Sequence, residues 1–204
     1  MRQSARGLRL GIFGGAFDPP HLAHRALVEA ALAQMHLDRL HVVPTGQAWH
    51  KARDLSHARD RVAMAQLAFA DLPRVLVDTR EVARASPSYT VDTLREMRLE
   101  FPESELFLFI GQDQAQALPS WHAWEEVVAL AIICVAARAD VAGNTPEFAP
   151  PMALKKRFEH LRLPMSAASA TEIRQRVRTG QGIVPLVGDA VARYIVLHRL
   201  YQPT

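Results

Sequence analysis

The chain has 204 residues, 49% of them hydrophobic and 22% charged, and a formal net charge of +3. Those values suit one soluble globular domain over residues 1–204 with a full hydrophobic core. They leave little room for other classes: the single cysteine, Cys134, rules out an intrachain disulfide framework, and no apolar run reaches the roughly 18 residues of a membrane span. The opening residues carry no apolar signal segment and no lysine-rich tract points to nucleic acid, so the expectation is a cytoplasmic protein acting on small anionic molecules.

Residues 1–7 read as a loose polar tail. Leu8 to Phe13 is an apolar run, predicted as a buried strand and closed by Gly14-Gly15. A helix is predicted from His21 to Met35 on the apolar positions Leu22, Ala26, Val28, Leu32 and Met35. Leu40 to Val43, closed by Pro44, is a second strand, parallel to the first through a right-handed crossover. A polar loop over 44–57 leads to a helix from Ala58 to Ala70, a strand from Arg74 to Thr79 and a loop over 83–90. Next come a helix from Val91 to Phe101 and a strongly apolar strand, Leu106 to Ile110, which runs into Gly111-Gln112-Asp113. A helix from Ser120 to Leu130, a buried strand from Ala131 to Ala137 and a loop over 139–151 follow. Lys155 to Leu161 reads as a short helix or part of the same excursion, Leu163 to Met165 as a last short strand, and helices at Thr171–Thr179 and Asp189–Leu200 finish the pattern. The alternation predicts an α/β fold: a Rossmann-like, doubly wound parallel sheet with helices on both faces and a C-terminal helical segment. Ligands of such sheets bind beyond the strand carboxyl ends, near the point where the strand order reverses.

The first strand, the glycine pair and the helix start form a place for phosphate, because backbone N–H groups at a helix N-terminus are unpaired and partly positive. His21 and His24, at i and i+3, share one face of the helix's first turn beside that place, which suits phosphoryl or nucleotidyl chemistry. Two other readings stand at this stage. The histidines could be a cap partner and a surface residue, or Asp18, His21 and His24 could ligate a metal, although no further His, Cys or carboxylate is close in sequence to complete the set. Ser169 with Glu172 fits a capping box, and its hydroxyls with Arg174 make a second anion site at a helix N-terminus. Asp113, at the end of a buried strand, is placed to bond ribose hydroxyls or to serve as a turn residue. Thr90 reads as a helix N-cap, Lys51 as a loop cation within reach of the same edge or a solvated lysine, and Cys134 as a buried inert thiol.

These elements carry a family likeness. Gly14-Gly15-Ala16-Phe17-Asp18-Pro19 followed by His21-Leu22-Ala23-His24 resembles the G-G-[T/S]-F-D-P…H-x-G-H signature of the nucleotidylyltransferase superfamily. Ala16 stands where a hydroxyl residue is usual. Ala23 stands where glycine is usual and adds a methyl group where phosphate approaches. Residues 168–174 resemble the superfamily's I-S-[S/A]-T-x-[I/V]-R element, with Ala168 in the isoleucine place, and His50-Lys51 resembles the end of its P-P-H-K. Pro87-Ser88-Tyr89-Thr90, Gly111 to Asp113 and Trp121 resemble the bacterial nicotinate-nucleotide adenylyltransferases in particular, and Arg138 matches an arginine of that family without its following Pro-Gly.

The likeness implies transfer of the adenylyl group of ATP to nicotinate mononucleotide, giving deamido-NAD and pyrophosphate. It implies catalytic roles for His21, His24 and Arg174. ATP contacts would come from Gly14, Gly15, Ala16, Phe17, Asp18 and Lys51, together with Gly111, Asp113, Ser169 and Thr171. The mononucleotide would meet Ser88, Tyr89, Thr90, Trp121 and Arg138, with Trp121 stacking on the pyridine ring. Mg²⁺ would be held mainly by ATP phosphates and water, with no protein metal site; a homo-oligomer is open. Nicotinamide mononucleotide or phosphopantetheine as acceptor, or a non-catalytic nucleotide sensor on the same fold, are the alternatives.

Overall fold

A computed structural model describes residues 7–46, 55–138, 149–163 and 168–202. Its centre is one six-stranded, wholly parallel sheet: β1 (Arg9–Gly15), β2 (Arg39–Pro44), β3 (Val75–Val77), β4 (Glu105–Gly111), β5 (Ile132–Arg138) and β6 (Phe158–Leu163). The spatial order is β3-β2-β1-β4-β5-β6, so the order reverses between β1 and β4. The helices are α1 (Leu22–Gln34), α2 (Ala58–Phe69), α3 (Arg80–Ala83), α4 (Thr90–Glu100), α5 (Gln112–Ala117), α6 (Trp124–Leu130), α7 (Ala170–Arg178), α8 (Val184–Val187) and α9 (Asp189–Leu197).

Alternation along β4 shows how the layers are made. Leu106, Leu108 and Ile110 point to one face, where they meet Val91, Leu94 and Met97 of α4 and Val127 of α6. Phe107 and Phe109 point to the other, against Leu27, Val28 and Ala31 of α1 and Ala65 and Phe69 of α2. A strand buried on both faces must be apolar throughout, which is why it reads so clearly in the sequence. Cys134 lies in the second layer, where burial pushes its thiol up to about 12 and leaves it inert. A third cluster sets Ile173 of α7 and Val191 and Ile195 of α9 around Met64 of α2, and so delivers α7 to the carboxyl edge of the sheet.

Three expectations are corrected. The segment from 158 is a strand, not a helix: Phe158 to Leu163 pairs along β5 from Ile133, opposite Phe158, to Arg138, opposite Leu163. Hydrogen bonding to the open edge of β5 decides it, and only Met152–Arg157 just before it forms a helical 3-10 turn. The helix predicted from Ser120 begins at Trp124, because Leu118–Ser120 is a 3-10 turn and Ala123 takes the left-handed conformation, φ 50°. Thr90 is the first helical residue of α4 rather than its cap, which is Tyr89.

Candidate active site

The turn after β1 is built around Phe17. Its backbone is left-handed, φ 48°, and its ring is 1% exposed, edge-on to Phe13 at 5.4 Å and to His24 at 5.1 Å. The expectation that Phe17 faces a nucleotide therefore does not hold for its side chain, which belongs to the core and supports His24 from behind. The same ring explains Gly15, where a Cβ would lie 3.1 Å from it. At Gly14 a Cβ would meet nothing within 4 Å, so this position borders open space.

His21 is the N-cap of α1 and His24 lies one turn in. Their rings stack with centroids 3.7 Å apart and planes 19° from parallel. The His21 backbone N–H donates to His24 Nδ1 at 3.2 Å. An accepting Nδ1 leaves the proton of the neutral His24 ring on Nε2, as a donor. Ala23 is buried, 8% exposed, so its extra methyl group is taken up inside the fold.

Asp18 is 2% exposed and faces inward. Its Oδ1 accepts from the Tyr201 hydroxyl at 2.6 Å, its Oδ2 from the Ser56 N–H at 3.3 Å, and its carbonyl from Arg174 Nη1 at 2.8 Å. These bonds organise the turn from within. They also weaken the metal reading, because the carboxylate is already committed. Among the described residues no group of three or more His, Cys, Asp and Glu converges as a metal site. Arg174 spans from α7 to this turn and also donates to Thr171 Oγ1 at 3.1 Å. Ser169 caps α7 by accepting from the Glu172 N–H at 3.2 Å. Only half of the capping box forms, because the Glu172 carboxylate pairs with Arg176. Arg61 of α2, 2% exposed, donates to the Ala16 carbonyl at 3.0 Å and holds the turn from below.

A cavity of about 480 Å³ opens between the carboxyl ends of β1 and β4. Gly14, Gly15 and Ala16 form one wall, Gly111 and Trp121 another, and Ser88, Tyr89 and Thr90 a third. The Tyr89 ring packs against His122 at 4.6 Å. Ser88 Oγ is buried with no hydrogen-bond partner among the described residues, so it can bond a ligand. Glu81 is the buried carboxylate of this wall. Burial lifts its carboxyl above the usual range, against the Thr93 hydroxyl, which donates to it at 2.8 Å, and the Arg84 charge.

The structure brings together most of the sequence-predicted site, with exceptions. Asp113 is exposed on the first turn of α5, outside the cavity wall, and Arg138 is the last residue of β5. Lys51 lies outside the described residues. Sequence reasoning missed Thr45, Glu81, Gln114 and His122 in the cavity, and Arg61 and Tyr201 beneath the turn. His122, beside Trp121, carried a readable signal; a lone arginine in mid-helix and a late tyrosine carried none. Among the described residues no helix is long and apolar enough to cross a membrane.

With that geometry in view, the cytidylyltransferase-like family matches residues 12–176 of the chain. A protein of Albidiferax ferrireducens described as a probable nicotinate-nucleotide adenylyltransferase is 58% identical, over 95% of this chain and 98% of its own length. A protein of Methylibium petroleiphilum with the same description is 41% identical, over 96% and 93%. Among solved structures, the Plasmodium falciparum nicotinic acid mononucleotide adenylyltransferase complexed with NaAD superposes with a TM-score of 0.78 at 18% identity, covering 95% of this chain and 97% of that one, which shows a shared fold.

Proposed function

The chain belongs to the cytidylyltransferase-like family and, within it, to the nicotinate-nucleotide adenylyltransferases, and from that premise we infer how its residues carry the reaction. The reaction joins a phosphate oxygen of nicotinate mononucleotide to the α-phosphorus of ATP. The bond from that phosphorus to the bridging oxygen breaks, and the products are nicotinate adenine dinucleotide and pyrophosphate.

Our reading divides the site in two. The mononucleotide occupies the cavity with its ring against Trp121 and Tyr89 and its carboxylate toward Ser88 Oγ and the start of α4. The triphosphate of ATP lies across the β1–α1 turn, between the two histidines and α7. Gly14, bare on its open side, lets phosphate approach the backbone closely. The two nucleotides meet over this turn, so an in-line attack needs no covalent intermediate. Catalysis is then positioning plus stabilisation of moving charge. His24 Nε2–H donates to the α-phosphate as negative charge builds there, and His21, stacked on it, keeps the ring aligned and supplies a second donor. Arg174 holds the leaving pyrophosphate. Donors on this side are N–H, imidazole and guanidinium groups, which complement phosphate oxygens and not a cation. Mg²⁺ would accordingly be held by the phosphates and water and would help to neutralise the triphosphate.

The observation that carries this reading is the stacked His21–His24 pair at the start of α1, one turn from the point where Arg174 crosses from α7 to Asp18. Pyrophosphate release with ATP and each acceptor tests it. Release with nicotinate mononucleotide is expected to exceed that with the nicotinamide nucleotide or phosphopantetheine. No release with any of the three would sink it.

A further inference from the structure

Asp18 is a junction. Three segments far apart in sequence end on this one residue: the loop before α2 through Ser56, α7 through Arg174, and the chain after α9 through Tyr201. The last contact is the least expected, spanning 183 residues. Two non-glycine residues in the left-handed region make it: Arg199 at φ 49° and Tyr201 at φ 65°. Such backbone is costly and persists where its surroundings enforce it. Here it folds the chain back past the end of α9, so that the Tyr201 hydroxyl reaches the underside of the phosphate turn. Burial and the Asp18 carboxylate push that hydroxyl well above the ordinary tyrosine range, so it remains a donor throughout the working pH range.

We propose that Tyr201 is a positioning residue for adenylyl transfer: through Asp18 it sets the β1–α1 turn and the Arg174 guanidinium in register for the triphosphate. The proposal rests on the functional reading above. The Tyr201 hydroxyl and the Ser56 N–H hold the two carboxylate oxygens and restrain Asp18, whose carbonyl receives Arg174 Nη1. Without the tyrosine bond Oδ1 loses its 2.6 Å donor, and the carbonyl that aims Arg174 loosens with it. Attachment of α9 does not depend on this bond. The helix is held by Val191 and Ile195 in the third cluster and by the Tyr194 hydroxyl on Asp60 at 2.9 Å. Removing one oxygen from Tyr201 thus tests position without detaching the helix.

The test is Tyr201→Phe, read by steady-state kinetics and by calorimetric ATP binding without the second substrate. Expected are a fall in kcat and a weakening of ATP binding of about ten-fold each, with KM for nicotinate mononucleotide within about two-fold of wild type, since misplacing a binding group acts on the substrate it holds. In an Asp18→Ala background, Tyr201→Phe should add nothing further, because the effect passes through the carboxylate. If Asp18→Ala does not fold, the single variant still decides. Unchanged ATP affinity and kcat in Tyr201→Phe, or a parallel loss for both substrates that follows a lowered Tm, overturns the proposal. Calorimetry separates this from failure of the functional reading: a wild-type chain that binds ATP but releases no pyrophosphate sinks the reaction, and the Tyr201 comparison can still be made.

Discussion

The two sides of the switch point are built by opposite means. On the α1 and α7 side the key polar groups are held by other parts of the chain: His24 Nδ1 by the His21 N–H, Arg174 by the Asp18 carbonyl, Asp18 by Tyr201 and Ser56. On the α4 and α5 side there is an open cavity of about 480 Å³ with aromatic walls and a buried Ser88 hydroxyl that no described residue satisfies. The first side is preorganised, so its charges need no rearrangement when the reaction moves charge. The second offers shape and surface, which bind ground state and transition state alike. The lesson is a division of labour that kinetics can separate: damage to the first side should appear in kcat, damage to the second in KM for the acceptor.

The largest effect is expected at His24. Replacing it by alanine removes the Nε2 donor, and the His21 N–H loses its acceptor. A drop in kcat of about two to four decades is the scale for one lost transition-state donor. Single-turnover rates unchanged in His24→Ala would break the division at its strongest point. A smaller effect of the other kind belongs to Trp121. Truncation to alanine removes a stacking face worth about 1 kcal/mol plus its buried area, so KM for nicotinate mononucleotide should rise roughly ten-fold while kcat moves little. A kcat loss without a KM change would show that the cavity also positions the reacting phosphate.

How much of this was readable in advance follows the same split. β4 is plain, because its run Leu106 to Ile110, covered on both faces, has no polar residue to blur it. The histidine pair and the Ser169 cap were plain too, because each is a local pattern within one helical turn. What escaped depended on distant partners. Phe158 to Leu163 becomes a strand only because β5 presents an open edge. Nothing near Asp18 in the sequence shows that Tyr201 and Ser56 bond its two oxygens. Phe17 sits in a phosphate-binding motif, yet its ring is drawn into the core by Phe13 and Phe69. Periodicity and spacing see neighbours along the chain; they do not see which group across the fold claims a side chain first.

Glu81 sharpens the comparison most finely, because it is a buried carboxylate on the otherwise uncharged side. Burial raises its carboxyl above the ordinary value of 4.5, and the Thr93 bond, the Arg84 charge and the Gly46 N–H only partly offset this. The folded chain therefore holds the proton more tightly than the unfolded chain does. Whatever stability this protonation contributes is complete below the ordinary value and is lost as pH rises through the raised one. Glu81→Gln keeps an oxygen for Thr93 and Gly46 but cannot ionise. The Tm of the variant should thus gain on wild type as pH rises above the ordinary carboxyl value of 4.5, with the wild-type curve supplying the change. A Tm difference that stays flat with pH would mean that burial shifts Glu81 no further than its partners offset, and one that moves against glutamine would mean that the folded chain stabilises the Glu81 charge and that the acceptor cavity is preorganised electrostatically after all.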